Sequence, residues 1–109
     1  MLAKKERLSR EAFNRFFVAG KRHHTPLFQI IYTPHPTFHA SVVVSKKIAK
    51  TAVLRNKLRR RIYDIVRRQR VATGMTGVYI FIIKPEVVKT TFTDLKIHIE
   101  SALTKISPK

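Results

Sequence analysis

Residues 46–70 hold eleven Lys or Arg and one acid, Asp64. Within that block Leu54, Leu58, Ile62, Ile65 and Val66 recur at intervals of three to four, the spacing of an amphipathic α-helix with one buried stripe. The spacing predicts a helix over 51–71. Any fold of this chain must therefore supply an apolar surface to one side of that helix and leave cationic heads on the rest. A solvated helix ordinarily mixes signs to gain i,i+4 pairs. Here Arg55, Lys57, Arg59, Arg60, Arg61, Arg67, Arg68 and Arg70 face a single acid. Their repulsion works against the compact state unless something strongly negative lies alongside.

The flanking segments predict what that apolar surface is. "SREAFNRFFVAG" reads as a helix, with Ser9 as N-cap, Glu11 in the first turn and Gly20 as its stop. Phe13, Phe16 and Phe17 share one broad face of it, and one of them is expected in the core. "KRHHTP" reads as a loop. "LFQIIYT" and "HASVVVS" alternate as strands, and the short Pro-containing link between them predicts an antiparallel pair. "TGMTG" ends the basic helix, and "VYIFII" is a buried strand closed by Pro85. Thr91 with Asp94 resembles a capping box and opens a last helix near Phe92, whose Leu95, Ile99, Ala102, Leu103 and Ile106 are apolar. The class is α+β: a small mixed sheet packed with helices in the order α-β-β-α-β-α, the basic helix serving as a crossover between strands. One domain is expected over 1–109, with a short basic N-terminal tail and a short C-terminal tail.

The charge narrows the function. The formal net charge is +17, of which residues 46–70 supply +10. Such an excess suits nucleic acid, an anionic membrane or an acidic protein, and the predominance of Arg, whose planar fork grips phosphate oxygens in pairs, favours nucleic acid. There is no cysteine, so neither a disulfide nor a thiolate metal site is available, and a reducing cytoplasm is the expected location. "MLAKKERLSR" is charged and does not read as a secretory signal, and no apolar run reaches the ~20 residues a membrane span needs. The five histidines lack metal-ligand spacing, and six acids, none closely paired, are poor material for a two-metal nuclease or an acid–base pair. Asn56, lodged among the cations, can donate to a backbone or base acceptor.

With these residues in view, "SVVVSKKIAKTAVLRNKLRRRI" resembles the signature of the protein component of bacterial ribonuclease P: a strand ending in "SKK", a short link, then "AV-x-RN-[RK]" and a run of basics. The likeness extends over about residues 8–105. It implies that Lys46 and Lys47 match the "SKK" lysines, that Arg55, Asn56 and Lys57 match an Arg-Asn-Arg motif, and that Arg59 and Arg60, with Arg61 beside them, continue a face toward a catalytic RNA. It further implies that Phe13 and Phe17, with Lys50, line a cleft floored by the sheet that takes the single-stranded 5′ leader of precursor tRNA, Phe16 being left to the core. Ile31 takes the place of a cleft aromatic on the first strand, with Tyr32 one position later on the opposite face. Other departures are Arg61 where an apolar residue is frequent, Tyr63 where a further Arg is common, and Ile83 where a basic residue often precedes Lys-Pro. The family's crossover is left-handed, against the general rule.

The function so implied is that of a protein subunit, monomeric when isolated. Its RNA partner cleaves precursor tRNA with Mg²⁺, and this chain holds no cofactor and no catalytic residue of its own. An alternative is a structural RNA-binding protein of ribosomal type, which shares the charge and the layout. A stand-alone nuclease and a DNA-binding module fit the residues less well.

Overall fold

The structure, a computed structural model, describes residues 6–106. The expected terminal tails lie almost wholly outside that range. The described elements are α1 (Arg10–Ala19), β1 (Lys21–His24), β2 (Phe28–Thr33), β3 (Phe38–Val43), α2 (Ala52–Thr73), β4 (Gly77–Ile83) and α3 (Phe92–Ile106), with a short 3-10 helix at Pro85–Lys89.

The sheet order is β1-β2-β4-β3. β4 pairs antiparallel with β2 and parallel with β3, so α2 is the crossover between two parallel neighbours. The expected direct pairing of "LFQIIYT" with "HASVVVS" is incorrect. β4 is apolar on both faces and takes the central position, where both faces are covered; β2 and β3 alternate and flank it. The expected loop at "KRHHTP" is also incorrect in its first four residues. Lys21–His24 is an edge strand on β2, with only His23 half-buried. A charged edge strand carries no hydrophobic alternation to announce it, and its charges discourage pairing with other chains. Beyond the other edge, Arg7 makes a parallel bridge to Ala40, and Glu6 pairs with Arg70 of α2 at 3.4 Å.

One face of the sheet carries the main core. Phe28, Ile30, Phe38, Ala40, Val42, Tyr79, Phe81 and Ile83 pack against the buried stripes of α2 and α3. The α2 stripe is Leu58, Ile62, Tyr63, Ile65 and Val66; Leu54, expected in it, is 40% exposed in the first turn, before the helix reaches the sheet. Tyr63 is buried with its polar end satisfied, since its hydroxyl accepts the Val42 N–H of the edge strand β3 at 3.0 Å.

The opposite face carries α1, which packs on β2 and β4 and covers Ile31, Val78 and Ile80. Ser9 caps α1 by accepting from the Ala12 N–H at 3.2 Å. Gly20 ends it in extended backbone: a Cβ there would lie 2.4 Å from the Ile31 side chain, so the residue is small to let the helix end touch the sheet. Gly74 ends α2 differently, in the left-handed conformation at φ 68°, with its N–H on the Arg70 carbonyl.

Candidate nucleic-acid interface

The turn at 45–49 leads from β3 into α2, with the Ile48 and Ala49 N–H groups on the Ser45 carbonyl at 3.1 and 3.3 Å. Ala49 is buried beneath it, so Lys46, Lys47 and Lys50 are pushed outward and are exposed. Thr51 caps α2 by accepting from the Leu54 N–H at 3.2 Å. The first turn of α2 contains no acid. Its partial positive helix-end charge therefore adds to the lysines instead of being compensated.

Arg55 is half-buried, and one guanidinium nitrogen donates to the carbonyls of Ala49 (3.0 Å) and Lys50 (3.2 Å). It fixes the lysine-bearing turn to the helix. Arg59 donates to the Asn56 side-chain oxygen, which leaves the Asn56 amide group as a donor on the exposed surface. Lys57, Arg60 and Arg61 are exposed. Among the described residues the ion pairs of α2 lie in its second half: Arg67 and Arg68 with Asp64 at 3.5 and 3.3 Å, and Arg70 with Glu6. None reaches Arg55, Lys57, Arg59, Arg60 or Arg61. The helix is thus electrically divided, its N-terminal half carrying cations without counter-charge.

On the other face of the sheet, Phe13 and Phe17 stack at a centroid distance of 5.7 Å and 30° between planes. The Arg22 guanidinium lies 4.9 Å from the Phe17 ring centroid and donates to the Phe17 carbonyl at 3.3 Å. Phe16 is not a core residue: nothing in α1 is buried, and Phe16 lies half-exposed under Arg15 at 5.0 Å, in an edge-to-face contact with His35 at a centroid distance of 5.9 Å. All three aromatics of α1 are half-buried, none of them fully enclosed. Ile31 was expected to line the cleft, and that is corrected. It is 1% exposed beneath the end of α1 and can act only as support. Tyr32 lies on the core side against Tyr79, at 5.0 Å. The surface left open beside α1 is the next row of the register, Gln29, Ile82 and Val43, all half-buried. Val43 is the last residue of β3, so this floor runs directly into the lysine turn.

The structure thus brings together Lys46, Lys47, Lys50 and the first turns of α2 at one end of the sheet. It places Phe13 and Phe17 on the face opposite α2. Arg22 escaped the sequence reading because its strand was read as loop. Phe92, exposed beneath Arg61 at 5.9 Å, escaped it because an apolar residue at the start of an amphipathic helix reads as core. Among the described residues no group of three or more His, Asp or Glu side chains is arranged to hold a metal ion, and no helix is long and apolar enough to cross a membrane.

Known proteins resemble this chain in sequence and fold. The family model described as Ribonuclease P matches residues 2–107. The Ribonuclease P protein component of Microcystis aeruginosa is 29% identical over 105 residues, covering 88% of this chain and 85% of the relative. The RNase P protein of Thermotoga maritima superposes with a TM-score of 0.83 at 23% identity, covering 94% of this chain and 99% of that one. A Staphylococcus aureus RNase P protein mutant with defective mRNA degradation activity superposes at 0.82 and 24% identity, covering 93% and 87%. On the match of the family model along nearly its whole length, the chain belongs to the ribonuclease P protein family.

Proposed function

We propose that this chain is the RNA-binding subunit of a ribonucleoprotein that removes the 5′ leader from precursor tRNA. The observation that carries the reading is the division of charge on α2. Four cations, Lys57, Arg59, Arg60 and Arg61, stand without a carboxylate partner beside three exposed lysines of the preceding turn. Like charges at this density are destabilising alone and favourable against phosphates, which release counterions when they are neutralised. In this reading the N-terminal half of α2 and the turn at 45–49 lie on the catalytic RNA and relieve phosphate repulsion where its strands crowd. Mg²⁺ enters with the RNA, which performs the hydrolysis. Phe13 and Phe17, with Lys50, hold unpaired leader nucleotides by stacking and phosphate binding, which favours precursor over product. The chain acts as a monomer before assembly, in the cytoplasm.

The test is reconstitution. Purified protein added to a bacterial ribonuclease P RNA at low Mg²⁺ is expected to stimulate precursor tRNA cleavage at the 5′ leader junction. No stimulation, with co-sedimentation on ribosomal subunits instead, would replace this reading with that of a structural ribosomal protein. Cleavage by the protein after all RNA has been removed would make the chain itself the nuclease.

A further inference from the structure

Lys57, Arg60, Arg61 and Asp64 of α2 and Phe92 of α3 line a groove of about 400 Å³, within the ~300–1,000 Å³ range of small-ligand sites. Phe92 is 41% exposed although it continues the apolar stripe of α3. The ring meets side chains of α2 instead of the core. The Phe92 backbone is held at the start of the helix. Thr91 accepts from the Asp94 N–H at 3.1 Å, and the Leu95 N–H bonds the Thr91 carbonyl at 2.9 Å, so the ring rides on a capped first turn. The Arg61 guanidinium stands 5.9 Å from the ring centroid, within cation–π range. Asp64 offsets one of the three cations that line the groove and also pairs with Arg67 and Arg68, so the groove stays net positive.

An exposed ring with a guanidinium over it and two further cations beside it matches one chemistry in particular: a π-faced base joined to a phosphate. We propose that this groove is a second stacking site, which takes an unpaired nucleotide with the base on Phe92 and Arg61 and the phosphate on Lys57 or Arg60. It lies in the α2–α3 layer, with the sheet between it and Phe13 and Phe17. Its occupant therefore comes from the RNA bound by α2, not from the leader, and to that extent the inference rests on the proposed function.

The test measures assembly of the full chain with a bacterial ribonuclease P RNA across a salt series. Phe92→Ala is expected to weaken assembly by roughly fivefold or more, the smallest loss for one stacked base. The slope of affinity against salt should not change, because no charge is removed. Phe92→Leu, which keeps apolar bulk and loses the π face, should show the same loss and carries the test if the Ala variant unfolds; Phe92→Tyr should bind as the parent does. Arg59, outside the groove, separates the two claims. If Arg59→Ala weakens assembly while Phe92→Ala and Phe92→Leu do not, the groove holds no base and the inference falls alone. Full affinity in Phe92→Leu with loss in Phe92→Ala assigns the ring to apolar packing and also overturns it. If none of these variants weakens assembly, the proposed function falls and takes the groove with it.

Discussion

The side chains of the interface divide into those that meet RNA in the proposed reading and those that place them. Phe13 and Phe17 are stacked on each other at the surface with Arg22 on one ring. Phe13→Ala and Phe17→Ala are each expected to weaken leader-bearing precursor by about 1–3 kcal/mol, the cost of unstacking one base from an aromatic ring. Mature tRNA should be nearly unaffected, and a binding titration of both RNAs to the holoenzyme checks it; equal weakening of both would move the leader elsewhere. Arg55 shows the placing role. Its guanidinium holds the carbonyls of Ala49 and Lys50, so Arg55→Ala should lower stability by about 1–2 kcal/mol in urea unfolding in addition to weakening RNA binding. Tyr63 is purely structural. Tyr63→Phe strands the buried Val42 N–H and should cost about 1–3 kcal/mol of stability while leaving RNA affinity unchanged.

At the level of elements, α1 is a lid on the second face of the sheet, seated by close approach at Gly20. Gly20→Ala drives a methyl group into Ile31 and the Phe16 carbonyl, and should destabilise by about 1–3 kcal/mol by thermal or urea unfolding. The elements legible in the sequence were those whose own pattern decides them. α2, α3 and β4 are long or strongly apolar, and Ser9, "TGMTG" and Thr91 mark helix ends by local chemistry, whereas Thr51 is the cap of α2 and not its first helical residue. β1 was not legible, because an exposed edge strand of Lys, Arg and His has no buried face to impose alternation. The β2–β3 pairing was misread because a short link suggests a hairpin, whereas the sheet is decided by where β4 can be covered on both sides. The candidate site followed the same division. The cationic residues of α2 were legible as charge without counter-charge. The burial of Ile31 and the partial exposure of Phe16 depend on how far α1 reaches across the sheet, which no local pattern encodes.

For the molecule as a whole, a net charge of +17 on 109 residues is a state suited to a polyanion partner. The fold organises that charge by anchoring α2 through a buried stripe and confining its carboxylate partners to the C-terminal half. The proposed function requires phosphates to lie against the other half. The most direct measurement is the salt dependence of assembly with the catalytic RNA. It compares the parent with a variant carrying Gln at Lys57, Arg59, Arg60 and Arg61, and with a control carrying Gln at Arg67 and Arg68. The log–log slope is expected to fall by roughly 3 in the fourfold variant, at ~0.7–0.9 for each phosphate no longer neutralised, and by much less in the control. Equal slopes in the parent and the fourfold variant would mean that RNA does not touch this part of the helix.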